Sequence, residues 1–288
     1  MSHRKNKQNN SSNQSQSRPK PVKPQPVLDV AILTAGRLDL FSKCLDAVLA
    51  ETQGIPSRIY ICENGIHHDL RVAYDEVYKK LPEDAKVMKL HNNLGYPGGA
   101  NRAIRAGTAK LVLFVTDDVI LHPGSVNHLL LTMSDERIGI CGMKLVFPSD
   151  SVDPSRPAGK VQHVGHAMNI KGEIIHPFMG WSADNPKTCV SRDVASVTGA
   201  IFMVRRAAFN HAGGFFEGYG VGYYEDADLC FTLRKLGYRV FIDAQAIATH
   251  YVNATMDALK VQAPMMQNYD QFRMRHQQGF YWSEWEML

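Results

Sequence analysis

Residues 111–118 have the sequence LVLFVTDD, an apolar run that ends in two adjacent carboxylates. A short apolar run bounded by polar residues predicts a buried strand over residues 111–115. Two like charges side by side at the end of such a strand need a partner, and a hard divalent cation supplies one. A solvated turn or a helix cap is the competing interpretation of Asp117 and Asp118, because adjacent aspartates are common.

Three strand–helix units precede this strand. The apolar spacing predicts strands over residues 27–33, 58–62 and 86–90, and helices over 38–51, 70–81 and 101–109. Such alternation predicts an α/β fold with a mostly parallel sheet flanked by helices. Ligands of these sheets bind beyond the carboxyl ends of the strands. Thr34, Glu63, the segment 93–101 and the acid pair follow those ends, so we expect four polar clusters to meet at one edge.

The pattern after residue 120 is mixed. Predicted strands cover residues 138–147, 166–175, 196–204 and 238–242, and a predicted helix covers 227–236. The chain has 288 residues, of which 44% are hydrophobic and 21% charged. This length and composition suit one large domain over residues 27–288.

Residues 1–26 are rich in Asn, Ser, Gln, Lys and Pro and contain six basic residues and no acid. This composition predicts a disordered tail. The formal net charge of +4, less the six charges of the tail, leaves the body at −2. An acidic body does not suit a specific nucleic-acid binder. The tail either keeps the protein in solution or tethers it at the periphery of an anionic membrane or another polyanion.

Cysteine usage and hydropathy indicate the compartment. The five cysteines are scattered and form no C-x-x-C pair, which argues against a disulfide framework and a zinc ribbon. No apolar run reaches the ~18 residues of a membrane span, and the N-terminus has no apolar signal region. We therefore expect a cytoplasmic protein.

A second acidic cluster ends the segment GYGVGYYEDADL, residues 218–229. Acids at a helix start are stabilised by the helix dipole, which is the structural explanation. The functional alternative is a general base on a mobile loop that carries glycines and aromatic residues. His250 follows a predicted strand and is a candidate metal ligand, although a lone histidine is more often structural.

Two other motifs carry weaker signals. The Gly-rich segment 92–101 opens a helix, where backbone N–H groups favour anions, but it matches neither G-x-G-x-x-G nor a P-loop. His163, His166, His67 and His68 show no completed ligand set, so we interpret them as structural or solvated.

Taken in order, these motifs resemble the family 2 glycosyltransferases of the GT-A fold, particularly the rhamnosyltransferase-like branch. The resemblance covers about residues 27–253. It is carried by VAILTAGR (30–37), NNLGYPGGAN (92–101), VTDD with LHPG (115–124), and GAIFMVRR, GGFFE and EDADLC (199–230). It implies a Rossmann-like nucleotide-binding half over residues 27–120 and an acceptor and catalytic half over 121–288.

The resemblance also implies residue roles. Thr34, Arg37 and Glu63 would face the nucleotide base and ribose. The other donor-binding positions would be Gly95, Gly98, Gly99, Asn101 and Asp117. Asp118 and His250 would bind Mn²⁺ or Mg²⁺, and Asp226, with Glu225 beside it, would deprotonate the acceptor hydroxyl. The donor would be a UDP- or dTDP-sugar, the acceptor a glycan, lipid-linked or protein hydroxyl, and the reaction inverting. The oligomeric state is not indicated.

Two positions depart from the family pattern, and three alternatives stay open. Thr116 replaces the first acid of the metal motif, and Phe216 replaces an acceptor-side aspartate. A nucleotidyltransferase would share the sheet and metal logic but needs a longer basic Gly-rich loop than Gly36-Arg37. Thr116 also keeps open a catalytically degenerate module that binds a nucleotide or glycan. The tail suggests an auxiliary RNA- or membrane-binding role.

Overall fold

The computed structural model describes residues 25–169, 173–252 and 264–276. Three strand–helix units and a fourth strand build the first half. Their bounds are β1 (Leu28–Thr34), α1 (Leu38–Glu51), β2 (Ser57–Asn64), α2 (Arg71–Tyr78), β3 (Lys86–Leu90), α3 (Gly95–Arg105) and β4 (Leu111–Thr116). The predicted tail lies outside the described residues apart from its last two, so its disorder and its membrane contact stay predictions.

The second half has short strands between loops. Its elements are β5 (Val119–Leu121), α4 (Ser125–Thr132), β6 (Ile138–Val146), β7 (Val161–His163), β8 (Ala167–Met168), β9 (Ile174–Ile175), β10 (Arg192–Asp193), β11 (Ile201–Arg205), α5 (Arg206–His211), α6 (Glu225–Lys235), β12 (Arg239–His250) and α7 (Met265–His276).

In the described part of the chain, ten strands form one sheet. Its order is β10-β12-β6-β11-β4-β1-β2-β3, with β5 beside β12 and β7 beside β6. Strands β1 to β4 run parallel to their neighbours in this group. Strand β11 lies antiparallel between β4 and β6, so the mixed half begins there. The expected α/β class, with a parallel first half and a mixed second half, is confirmed.

Helices cover both faces of the sheet. Because successive side chains of a strand point to opposite faces, Val30 and Ile32 pack with Phe41 on one face, and Ala31 packs with Ile104 on the other. Helices α1, α2 and α4 cover the first face, and α3, α5 and α6 cover the second. A strand buried on both faces reads as a continuous apolar run, as β1 does. Its carboxyl end is left for a ligand.

Helix α3 begins at Gly95, well before the predicted start at Asn101. Asn64 accepts the N–H of Leu94 at 2.9 Å, and Asn93 accepts the N–H of Gly95 at 2.8 Å. These side chains satisfy N–H groups that have no partner inside the helix. The predicted start was too late: glycine and proline have poor helix propensity, and these contacts override it.

Strand β12 is much longer than the predicted strand 238–242. It continues past a register shift between Asp243 and Ile247 and ends at His250. Its last residues pair with β5, where His250 lies opposite Val119. The irregularity therefore brings His250 beside the acid pair that precedes β5.

Two other predicted strands are shorter in the structure. The segment 166–175 forms β8 and β9, which pair with each other; residues 170–172 between them lie outside the described residues. Only Ile201–Arg205 of the region around 196–204 is a strand. Residues 196–200 instead bond to loop and side-chain partners that belong to the site below.

Two simple features complete the fold. Among the described helices, none is long and apolar enough to cross a membrane. All five cysteines are free thiols, and all but Cys189 are buried. Packing and hydrogen bonds, rather than disulfide bonds, therefore hold these cysteine-bearing elements together.

Candidate active site

A cavity of about 920 Å³ opens at the carboxyl ends of the parallel strands. One wall is formed by strand ends and the residues that follow them, and the opposite wall by the loop and helix start at residues 220–227. The strand-end residues are Leu33, Ala35, Asn64, Thr116, Asp117, Asp118 and His250. The structure thus brings the acid pair, His250 and Asp226 to one cavity.

Asp117 is held from behind by the first strand. The Thr34 hydroxyl donates to Oδ2 of Asp117 at 2.6 Å, and the Ala35 N–H donates to the same oxygen at 3.2 Å. The Tyr74 hydroxyl lies 2.8 Å from Thr34 Oγ1 and donates to it, because the proton of Thr34 is already used. Thr34 is buried behind the cavity wall and positions Asp117. Contacts of either residue with a nucleotide stay predictions.

Asp118 and His250 form a pair suited to a divalent cation. His250 Nε2 lies 3.5 Å from Oδ2 of Asp118, and the Thr116 hydroxyl donates to Oδ1 at 2.6 Å. His250 Nδ1 lies 3.0 Å from the amide oxygen of Gln162. Because that oxygen only accepts, Nδ1 carries a proton, and in the neutral ring Nε2 then offers a lone pair beside Asp118. A carboxylate oxygen and an imidazole lone pair side by side are a donor set for Mn²⁺.

Glu63 points away from the cavity. Its carboxylate is fully buried, accepts the Tyr78 hydroxyl at 2.8 Å and pairs with Arg71. The next residue, Asn64, lines the cavity instead and bonds to the backbone where α3 begins. A nucleotide contact of Glu63 stays a prediction, and in this structure the side chain joins β2 to α2.

Arg37 lies near the acid pair but outside the cavity lining. It is half-buried and pairs with Asp39 at 3.0 Å. The Asp39 contact, together with the charges of Asp117 and Asp118, raises the pKa of Arg37. The side chain thus carries positive charge to the rim of the acid pair, and its predicted nucleotide contact stays untested.

The Gly-rich start of α3 divides into two parts. Gly95 lines the cavity, whereas Gly98, Gly99 and Asn101 are buried behind it. A Cβ at Gly99 would lie 2.6 Å from a leucine of β1, so glycine allows the helix to pack closely. Asn101 donates to the carbonyl of Phe215 at 2.8 Å and accepts its N–H at 2.9 Å. These three residues therefore have structural contacts, and their donor-binding roles stay predictions.

The Gly/Tyr loop, residues 218–224, is held on both sides. The Tyr96 N–H at the start of α3 donates to the carbonyl of Val221 at 3.0 Å. From α7, Asn268 donates to the carbonyls of Tyr219 at 3.0 Å and Gly222 at 2.7 Å. The loop is thus fixed by one helix from each half of the fold.

Strained backbone precedes the acids of α6. Tyr223 and Tyr224 both have positive φ, 74° and 73°. This conformation costs on the order of 1–3 kcal/mol for a residue other than glycine and persists where the surroundings enforce it. It leads directly into Glu225 and Asp226, which line the cavity.

Asp226 is equipped to ionise. Its Oδ2 accepts the N–H of Gly199 at 2.9 Å, and its Oδ1 accepts the N–H of Ala227 at 2.7 Å. Burial raises the pKa of Asp226, and these two N–H groups partly lower it again. A half-buried carboxylate with a raised pKa and a wall position can accept a proton.

Glu225 has a different environment. It is 6% exposed, and in the described structure its Oε2 has no hydrogen-bond partner. Burial and then the charge of Asp226 raise the pKa of Glu225 well above its usual range. Of two adjacent carboxyls with unequal surroundings, the one with more donors ionises first. Asp226 is therefore the first of the pair to ionise, and Glu225 keeps its proton to higher pH than Asp226 does.

A group of three histidines adjoins these acids. Nitrogens of His163, His166 and His176 lie within 4.8 Å of one another. The interpretation of His163 and His166 as structural or solvated residues did not include this group, because its third member, His176, follows β9. The pair His67 and His68 is exposed, as expected for solvated residues.

Other site residues had no sequence signal. Gln162 orients His250 across the sheet, and Gly199 donates to Asp226 from a different loop. Both contacts join segments far apart in the chain. Asn64 was visible as part of a polar strand end, and its position there could have marked it.

A mostly parallel sheet with an acid pair at its strand ends, and a carboxylate at a helix start in the same cavity, is the arrangement expected of the GT-A class. The chain belongs to the family described as "Glycosyltransferase like family 2", which matches residues 24–263. The predicted family is therefore confirmed.

Two relatives agree with the rhamnosyltransferase-like branch. The N-acetylglucosaminyl-diphospho-decaprenol L-rhamnosyltransferase of Mycobacterium tuberculosis is 32% identical over 224 residues, which are 69% of this chain and 68% of the relative. The O-antigen biosynthesis protein RfbC of Myxococcus xanthus is 27% identical over 248 residues, 83% of this chain. The chain spans only 18% of the RfbC length.

The solved structures agree on the fold. The crystal structure of GalNAc-T7 with UDP, GalNAc and Mn²⁺ superposes with a TM-score of 0.68 and 12% identity. The match covers 86% of this chain and 48% of GalNAc-T7. At this identity the likeness establishes the GT-A fold alone.

Proposed function

We propose that the protein is a metal-dependent, inverting enzyme that moves a sugar from a nucleoside-diphosphate donor to an acceptor hydroxyl in glycan or glycoconjugate synthesis. One observation carries the proposal: the Asp118–His250 pair and Asp226 line the same cavity of about 920 Å³. Pockets for small ligands occupy about 300–1,000 Å³, so this volume suits a nucleotide sugar. Residues 27–120 form the donor half and residues 121–288 the acceptor half of one domain.

Asp118 and His250 are the residues that would hold the cation. The Thr116 hydroxyl and the Gln162 amide fix the ligand atoms, because they bond to Asp118 and His250 respectively. A divalent cation bound there supplies Lewis-acid stabilisation of the departing nucleoside diphosphate. Thr116, although not an acid, thus supports the metal site. The structure of GalNAc-T7 with Mn²⁺ supports this choice of cation.

Asp226 is the proposed general base. It removes the proton from the acceptor hydroxyl as the oxygen forms a bond to the anomeric carbon. The bond from that carbon to the diphosphate oxygen breaks on the opposite side, which inverts the configuration. Glu225, while it is protonated, can donate a hydrogen bond to a substrate oxygen from the same wall.

The names of the relatives suggest the substrates. One relative is named as an L-rhamnosyltransferase that acts on N-acetylglucosaminyl-diphospho-decaprenol, a lipid-linked sugar. The other is named as an O-antigen biosynthesis protein. We therefore propose a dTDP- or UDP-sugar donor, with dTDP-rhamnose first to be tested. A lipid-linked sugar is the acceptor to test before free glycans and protein.

A panel of nucleotide sugars tests the proposal. Melting temperature should rise with one donor class in Mn²⁺ and not in EDTA, because only a ligand that binds the native state stabilises it. Asp118→Ala should abolish the rise, whereas Asp69→Ala, in an exposed His/Asp cluster, is the control for metal bound elsewhere. The same donor should then give an inverted product. Full stabilisation and turnover in EDTA would reject the metal role.

A further inference from the structure

Three histidines beside the cavity form a chain of hydrogen bonds with one direction. Nε2 of His163 lies 3.2 Å from the backbone nitrogen of Thr198. A backbone N–H only donates, so Nε2 is the acceptor and the proton of neutral His163 lies on Nδ1. Nδ1 lies 3.3 Å from Nδ1 of His176, which must accept it.

The rest of the chain follows from this first bond. Neutral His176 then carries its proton on Nε2, which lies 3.2 Å from Nε2 of His166. His166 keeps its proton on Nδ1 and donates to the Ser196 hydroxyl at 2.8 Å. Every ring nitrogen is engaged, and an added proton would place two donors face to face. In agreement, burial lowers the pKa of His163 well below its usual range and that of His166 to about 4.

This arrangement does not suit a shared metal ion. His163 offers no lone pair, because Nε2 accepts from Thr198 and Nδ1 is protonated. His176 turns different nitrogens toward its two neighbours, so its two contacts do not converge on one point. The hydrogen bonds, rather than metal ligation, explain why the rings are grouped.

Both ends of the hydrogen-bond chain lie in residues 196–200. This segment also contacts Asp226 and the strand end that carries Asp118. Thr198, which His163 holds, is followed by Gly199, whose N–H donates to Asp226 at 2.9 Å. One residue further on, the carbonyl of Ala200 accepts the N–H of Thr116 at 2.9 Å. The hydroxyl of Thr116 in turn bonds to the acid of the proposed metal site. Two consecutive peptide N–H groups, those of Thr198 and Gly199, thus link the histidines to Asp226.

We propose that His163 is a positioning residue for the transfer reaction. Through the neutral imidazole chain it fixes the Thr198 peptide, so that the Gly199 N–H stays on Asp226 and favours its ionised form. The inference rests on the proposed role of Asp226. The proposal gives a function to His163, His166 and His176, whose hydrogen bonds given above do not include Asp118 or His250.

Several titratable groups surround Asp226 and are shared by all variants below. They are Glu225 and Cys230 on α6, Tyr224 before it, Tyr96 on α3, and His176. Among the influences on Asp226, the Gly199 N–H is the largest that lowers its pKa. Loss of that bond should raise the pKa of Asp226 further, and the acid limb of the rate profile should then move to higher pH.

The pH dependence of kcat in His163 variants tests the proposal. In His163→Leu we expect the acid limb to move up by about one pH unit, so that kcat on that limb falls about tenfold while kcat on the plateau above it is unchanged, as for loss of a hydrogen bond to a charged group. Nucleoside-diphosphate affinity in Mn²⁺ should not change. His163→Gln should restore the profile, because its amide can accept from Thr198 and donate to His176. His211→Leu, at an exposed site, is the control.

A measurement on the unmodified protein tests the hydrogen-bond chain of the three histidines. Long-range ¹⁵N–¹H spectra should show neutral rings, with the proton on Nδ1 of His163 and His166 and on Nε2 of His176. Another tautomer set, or stoichiometric Zn²⁺ that is lost in His176→Ala, would overturn the proposal. So would an unmoved acid limb in folded His163→Leu. Full activity of Asp226→Asn would instead reject the proposed base and leave the tautomers intact.

Discussion

The two halves of the cavity are held in different ways. In the donor half, short contacts at strand ends fix the acids: Thr34 holds Asp117 from the adjacent strand, and Thr116 holds Asp118 within its own strand end. In the acceptor half, the contact that holds Asp226 comes from a separate loop, and a helix far along the chain holds the preceding loop. The donor site is thus a product of sheet register, whereas the acceptor site depends on tertiary contacts.

The largest expected effect on the free energy of unfolding is that of Asp228, which joins α6 to α7 in the acceptor half. Asp228 is buried and accepts bonds from Arg275 at 2.6 Å, His276 at 2.7 Å and the Tyr219 hydroxyl at 3.1 Å. Asp228→Asn should lower the free energy of unfolding by about 3 kcal/mol, the low end for breaking a buried charge pair. Urea unfolding at pH 7 measures it. Asp270→Asn, exposed on α7, should have no such effect.

The pH dependence of this stabilisation has a definite sign. Burial raises the pKa of Asp228, but the bonds from His276 and Arg275 outweigh it and hold the pKa below its usual value. The stabilisation is therefore complete above about pH 4 and is lost as pH falls through the lower, folded-state value. The difference between wild type and Asp228→Asn should narrow in acid. A constant difference would contradict the assignment.

A smaller effect should cross from one half to the other. Gln162, in the acceptor half, orients His250 toward Asp118. Gln162→Leu removes the acceptor for the Nδ1 proton and should weaken Mn²⁺ binding about 10–100-fold, as for other supporting residues of metal ligands. Calorimetry with Mn²⁺ and a nucleoside diphosphate measures this, with exposed Gln245→Leu as the control. Equal Mn²⁺ affinity in both variants would show that Gln162 does not support the metal ligand His250.

The smallest effect should lie within the donor half. Tyr74→Phe removes one buried hydrogen bond to Thr34, which can still donate to Asp117. We expect a loss of about 1 kcal/mol in the free energy of unfolding and an unchanged kcat. Thermal or urea unfolding together with a turnover assay checks both values. A large drop in kcat would show that the strand-end contacts are less redundant than the structure indicates.

The same contrast decides how much the sequence could predict. The parallel strands and their polar ends were predictable, because apolar runs of β1 and β4 mark buried strands and topology brings their ends together. Asp118, His250 and Asp226 were assigned to one site because the family motifs occur in order, and the structure places all three at one cavity, whereas their roles stay predictions. Thr34 and Glu63 were expected at a ligand, yet their side chains bond to neighbouring elements, since a strand-end position does not determine which way a polar group turns.

The acceptor half was less predictable for a physical reason. Gln162, Gly199 and His176 act through partners that are far away in sequence, and no periodicity reports such contacts. The start of α3 was missed because its capping asparagine, Asn64, lies on another strand. Local propensity describes local structure only, and this site is built largely from contacts between segments.

The most direct test of the two-part site compares Asp118→Asn with Asp226→Asn. Nucleoside-diphosphate affinity in Mn²⁺ and kcat are measured on the same samples. Asp118→Asn should lose metal-dependent affinity. Asp226→Asn should keep wild-type affinity while kcat falls about 10²–10⁴-fold, the usual cost of losing a general base. Transfer by Asp226→Asn at a near wild-type rate, or equal loss of donor affinity in both variants, would contradict the division of the cavity into a metal-and-donor side and a base side.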